Sequence, residues 1–431
     1  MRLSFSVDSR AGSVSDGKTG ETLVLSCRRL RFRLVSLFIL VGLTVGAFIV
    51  GWPPMRAWYH RRQARAELQH YHTPQAIRHL LICRAIWPRD PETLLMAARA
   101  ARRAKLYSDS ERLLHDYRQV RGRDEAYSFE QILLAAECCI DEMANLCWQY
   151  VEEGRFDTAL LLEALTQGYL QQYQLSQAQH CLKRWQQIQP DNPQIFYLKG
   201  LFKLDYLHDR AGGEEDYRHA LELDADHEEA RLGLAVALLL GKSFAQAAEH
   251  FKHLRQCQPD NWYVQVQLAE CLDSLGQTAE AVRLVDEVLA RQPQYGPALS
   301  LRGRLALRSG QLDKAESWLR QALCRNPMDH HAHYSLILCL EESGQHEESQ
   351  RQQRQFQRME EDLSRFNDIV TKEIAKRPND PALHCTLGQI LLRSGHRAKG
   401  LRWLQSALRL DPYYAPARQA IEEYQKSEPQ P

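Results

Sequence analysis

Three histidines stand within four residues, His330, His331 and His333, and eleven cysteines are scattered along the chain. Imidazoles and thiolates are the usual ligands of zinc and related ions, so metal binding is the first chemistry to weigh. His330 and His333 would share a helix face, but a metal ion needs further ligands close by. No sequence neighbour supplies such a set, no C-x-x-C pair occurs, and no Cys/His spacing matches a zinc site. Cys138 and Cys139 are adjacent, a poor geometry for a mutual bridge. Cys147, Cys271 and Cys339 fall among apolar neighbours and read as small buried hydrophobes. The odd total and irregular spacing give no disulfide framework, which leans toward a reducing compartment. The chain has no phosphate-cradling glycine loop, no G-x-S-x-G elbow and no H-E-x-x-H helix. The expectation is a protein without a catalytic site, a metal or a cofactor.

The elements that carry these residues follow from composition and spacing. Lys and Arg number 55 against 54 Asp and Glu, so net charge offers no reason to expect nucleic acid as a partner. With 22 Gly and 17 Pro in 431 residues, turn signals are too few for an all-β fold. Pro190, Pro259, Pro293, Pro327, Pro378 and Pro412 each close an apolar helical stretch. The steps from 259 to 293, 293 to 327 and 378 to 412 are equal, and a fixed period of this size signals stacked supersecondary units. Gly276, Gly310, Gly344 and Gly395 recur midway and let the chain reverse. Ala281, Ala315 and Ser349 follow as small residues, and Ala322 and Ala407 recur later in their units, where two helix backbones approach. Each unit is therefore expected to be helix, tight turn, helix, proline turn.

The segment LAECLDSLGQTAEAV within Trp262–Tyr295 resembles the tetratricopeptide repeat, as do RGRLALRSGQLDKAESWLRQALCRNP and LGQILLRSGHRAKGLRWLQSALRLDP. Gly400 departs from the pattern, standing where alanine is usual. The resemblance implies an all-α fold, a right-handed superhelical solenoid of antiparallel helix pairs. About ten pairs are expected over 57–414, with 57–158 and 193–227 degenerate and 415–427 forming a capping helix whose Glu422, Glu423 and Lys426 give it a polar outer face. It also implies a concave groove, lined by first helices, that takes a peptide or a partner helix. The groove positions are Tyr197, Glu270, Asp273, Arg304, Arg308, Tyr334, Glu341 and Gln389, with Leu201, Val266, Ser300 and Leu338 beside them. The lysine and asparagine set of carboxylate-clamping relatives is missing, so no such clamp is expected.

Seventeen residues are added in 345–377, where Phe356, Met359, Leu363, Phe366, Val370 and Ile374 form one apolar stripe on an extended second helix. That stripe either packs on its own array or pairs with a partner or a second copy, so a homo-oligomer stays open.

Leu34 to Trp52 runs without a charge over a helical length of roughly 28 Å, and Pro53-Pro54 ends it. The expectation is one transmembrane helix at 34–52 behind a disordered basic tail at 1–33. Arg28, Arg29, Arg31 and Arg33 lie closer to the apolar run than Arg56, Arg61, Arg62 and Arg65 on the far side. That places the amino terminus in the cytoplasm and the repeats outside it. The whole is similar to bacterial membrane-bound tetratricopeptide proteins such as those of planctomycetes. The function expected is a non-catalytic scaffold holding partner proteins at a membrane. The alternative is an assembly or carrier subunit for export of envelope polysaccharide or lipid.

Overall fold

A computed structural model describes residues 54–374 and 376–427. The tail assigned to 1–33 and the membrane helix assigned to 34–52 lie outside the described residues. Among the described residues no strand forms, and no helix is long and apolar enough to cross a membrane. The chain forms an all-helical solenoid of antiparallel pairs. First helices are α1 (54–69), α3 (Pro91–Arg103), α5 (Glu125–Cys138), α7 (Thr158–Gln171), α9 (Pro193–Leu201), α11 (Glu228–Leu240), α13 (Trp262–Ser274), α15 (Gly296–Arg308), α17 (His330–Glu342) and α19 (Pro381–Arg393). Second helices are α2 (Thr73–Ile86), α4 (Tyr107–Arg121), α6 (Ile140–Glu153), α8 (Leu175–Ile188), α10 (Arg210–Leu223), α12 (Phe244–Cys257), α14 (Thr278–Arg291), α16 (Leu312–Arg325), α18 (His346–Asp368) and α20 (Arg397–Leu410). A last helix, α21 (Ala415–Ser427), closes the array.

The proline turns start the first helices by a common device. An Asp or Asn stands two residues after the proline, as Asp90, Asn192, Asn261, Asp329 and Asp380, and its side chain accepts a backbone N–H of the first turn. Each such cap is worth ~1 kcal/mol. Six residues after the proline a side chain returns to the proline carbonyl: Gln265 and Arg418 donate to Pro259 and Pro412, and His333 and His384 bond Pro327 and Pro378. His333, from the histidine cluster, is thus buried and engaged with its own turn, while His331 is exposed. Among the described residues no group of three or more His, Cys, Asp or Glu is placed to hold a metal.

Between first and second helices the chain reverses through one left-handed residue, except between α5 and α6, where Cys139 has φ of −130°. Gly276, Gly310, Gly344 and Gly395 take it with φ of 80°, 71°, 76° and 73°. In the earlier units the same slot is held by Tyr71, Lys105, Tyr173, His208 and Lys242 at φ between 51° and 61°, a conformation that strains any side chain with a Cβ. Gly400 also has a physical reason: a Cβ there would lie 2.9 Å from the Gly388 carbonyl, so α19 and α20 meet backbone to backbone. Ala281, Ala315, Ala322, Ser349 and Ala407 are all fully buried at such contacts.

The solenoid closes on itself at two places. The apolar core of α5 to α9 is continuous with Ile369, Val370, Leu387, Leu391 and Trp403 from the far end of the array. Tyr173 stacks on Trp403 with ring centroids 4.1 Å apart, and Arg409 donates to the Gln172 carbonyl and pairs with Asp141 at 3.5 Å. Farther forward, His72 bonds Asp224 at 2.9 Å and Arg78 donates to the Cys257 carbonyl at 3.1 Å. A buried ion network ties α3, α5 and α7: fully buried Arg102 meets Glu137 and Glu130, and Arg103 meets Glu163 at 2.9 Å. Burial outweighs Arg102 at Glu137 and pushes its carboxyl up to about 7.

Candidate partner-binding hollow

Closure leaves a hollow of about 620 Å³. Its apolar lining includes Leu204, Val236, Leu240, Met328, Met359, Leu363, Phe366 and Ile390, and its polar groups include Asp205, His208, His396 and Lys399. A π-turn after α9, Phe202–Tyr206, supplies Leu204, Asp205 and Tyr206 to the lining. A second, Ile369–Glu373, follows α18. Tyr173 and His208, two of the left-handed turn residues, also line it.

The inserted helix supplies one wall. Phe356 is buried under His330 and Tyr334, at ring centroids of 4.5 and 6.0 Å. Val370 and Ile374 are buried in the closing core. Met359, Leu363 and Phe366 between them face the hollow, and Leu363 keeps 45% of its surface exposed. Arg393 on α19 grips Asp362 with two bonds of 2.9 and 2.6 Å, which fixes that stretch of α18 in place. In the same lining Leu240 is 62% exposed. Large apolar groups therefore border a space open to water.

The polar rim is of mixed charge. Enclosure raises the Asp205 carboxyl above its usual value, against the pull of Lys399 and His208. Burial lowers the pKa of His208 against the pull of Asp205, and burial with Lys399 lowers that of His396. The lining thus joins large apolar surface to a few polar groups, the usual make-up of a binding hollow.

The groove positions expected from the sequence fall into separate settings. Glu270 bonds Arg304 at 3.0 Å, and Asp273 bonds Arg308, so these four charges form a ladder between successive first helices. Tyr197 is packed against Tyr217 and His227 at 6.3 and 5.4 Å. Val266 and Ser300 are buried, at 3% and 5% exposure. Tyr334 and Leu338 are exposed, Glu341 accepts from His346 at 2.9 Å, and Gln389 is half-buried beside Ile390. None of these groove positions lines the hollow, whereas Met359, Leu363 and Phe366 of the inserted stripe do. Asp205, Leu240 and Lys399 were not singled out by the sequence, because their meeting depends on closure of the solenoid.

Profiles of the tetratricopeptide repeat match residues 238–305, and residues 204–261 with 300–349. Residues 204–349 thus carry tetratricopeptide repeats. It is 25% identical over 217 residues to the human antiviral innate immune response effector IFIT1, covering 48% of this chain and 45% of that protein. It is 27% identical over 225 residues to the mouse interferon-induced protein with tetratricopeptide repeats 3, covering 49% and 52%. The chain thus spans about half the length of the curated relatives it matches. Among solved structures, the APC/C hetero-tetramer Cut9–Hcn1 is 9% identical, covers 84% of this chain and 82% of its own, and superposes with a TM-score of 0.39. The profile matches begin at residue 204, past the degenerate units of 57–158.

Proposed function

We propose that the protein is a non-catalytic scaffold that holds a segment of a partner protein in the hollow, and that the uncharged run at 34–52 keeps it at a membrane. The observation that carries the reading is the pair Leu240 and Leu363, exposed at 62% and 45% in the lining of a hollow open to water. Leaving both against water forgoes ~1.5–3 kcal/mol for each side chain that a guest could cover. Met328 and Met359 add adaptable surface, which suits a guest of variable side chains. An extended segment or one face of a helix with two or three large apolar residues fits, with Asp205 and Lys399 orienting its polar groups.

The test is affinity capture with the full chain, compared with Leu240→Glu and Leu363→Glu. Both positions are exposed, so the fold tolerates the change. Partners retained by the wild type and lost from both variants support the hollow. Partners retained equally by all three chains rule it out.

A further inference from the structure

The two ends of the solenoid are finished differently. At the carboxyl end α21 turns Arg418, Gln419, Glu422 and Glu423 outward, a polar cap of mixed charge. At the other end α1 buries Ala57, Ala64 and Leu68 against the array, at 0%, 0% and 5% exposure. Its opposite face presents Met55, Trp58 and Tyr59, exposed at 64%, 51% and 53%. Arg62 completes that face, its guanidinium 6.0 Å from the Trp58 ring centre, and Arg56 is exposed beside it. Residues 55, 58, 59 and 62 follow the three-and-four spacing of one helical stripe. Among the described residues no carboxylate pairs with Arg56 or Arg62.

We propose that this face of α1 rests on the headgroup layer of a bilayer containing anionic lipid. Tryptophan and tyrosine favour that layer because each joins an apolar ring to a polar tip. Arginine is drawn to its negative potential. The uncharged run in the sequence ends at Trp52, two residues before α1, which puts the helix at the bilayer surface if that run enters the membrane. A second copy fits less well, since a twofold contact would set Arg56 and Arg62 against their own counterparts with no carboxylate on the face. The inference rests on the membrane reading above and adds a surface that orients the solenoid upon the bilayer.

The experiment uses the full chain with the apolar run interrupted by Leu40→Arg and Val45→Arg, so that adhesion through α1 is read alone. Sedimentation is followed with phosphatidylcholine vesicles, with and without phosphatidylserine. The interrupted chain is expected to sediment with the anionic vesicles and not with the neutral ones. Arg56→Gln and Arg62→Gln should each lower that partitioning about fivefold, and Trp58→Ser should lower it further. If the interrupted chain stays in solution while the intact chain inserts into vesicles, the α1 surface is refuted and the anchor stands. If the intact chain also fails to associate, the membrane reading falls with it. If Trp58→Ser instead dissolves a dimer seen by sedimentation velocity, the face belongs to a second copy and the proposal is overturned.

Discussion

At Lys242 a side chain occupies a backbone conformation that glycine holds in the later units, with φ of 60° against 71° to 80° at Gly276, Gly310 and Gly344. Replacing Lys242 by glycine removes the clash of Cβ with the following carbonyl but loosens the unfolded chain. The first term is ~1–2 kcal/mol and the second ~0.4–1, so Lys242→Gly should stabilise by up to about 1 kcal/mol. Urea unfolding of the variant measures it, and a destabilised chain would contradict the assignment. His72 offers a second test. Burial lowers its pKa, but hydrogen bonds with Glu67 and Asp224 outweigh burial and raise it above 6.5. A raised histidine lends its full stability below its unfolded value, and loses it as pH rises through the folded one. Amide protection of residues 67–73 should therefore fall as pH rises above 6.5, and His72→Phe should flatten the dependence. Protection that is constant in the wild type would show that the proton has no part in this contact. The left-handed slot also explains what the sequence concealed. In the later repeats glycine marks the turn, but tyrosine, lysine and histidine carry the same φ in the earlier ones, where no residue type betrays it.

At the scale of elements, the period was readable because the turns at Pro259, Pro327 and Pro378 repeat one chemistry: proline, then Asp or Asn as cap, then a side chain returning to the proline carbonyl. First helices start at Glu228, Trp262, Gly296 and His330 in equal steps. The stripe on 345–377 was readable as well, but its two roles were not separable from spacing alone. Phe356 is buried at 7% exposure whereas Leu363 retains 45%, so one stripe serves the core at its ends and the hollow in its middle. This predicts a split. Phe356→Ala should destabilise the array by ~3–5 kcal/mol, the usual result of emptying a buried aromatic site. Met359→Glu and Leu363→Glu should leave the melting temperature within a few degrees of wild type and weaken partner retention. Circular dichroism melts paired with the capture assay decide it. Equal loss of stability at all three positions would mean that the helix is wholly structural.

The molecule as a whole is a solenoid that meets its own earlier turns. That property was not legible in the sequence, since no local pattern announces that Tyr173 will stack on Trp403 or that Arg409 will reach Gln172. Such contacts arise from small rotations added over many repeats, and the hollow exists only because of them. The same reason separates the expected groove residues from the cavity. Glu270, Arg304, Asp273 and Arg308 were chosen from one open face, yet their charges pair between neighbouring first helices, and Asp205, Leu240 and Lys399 converge from distant units. The central claim is that a partner segment lies between Leu240 and Leu363. The most direct measurement places a photoreactive phenylalanine at 363 in the full chain, and another at the outward-facing Arg283 of α14, and maps the crosslinked residues by mass spectrometry. A crosslink from 363 to an apolar segment of another protein, absent from 283 and lost on Leu240→Glu, is the predicted result. Crosslinks from 363 confined to this chain, or formed equally from 283, would contradict it.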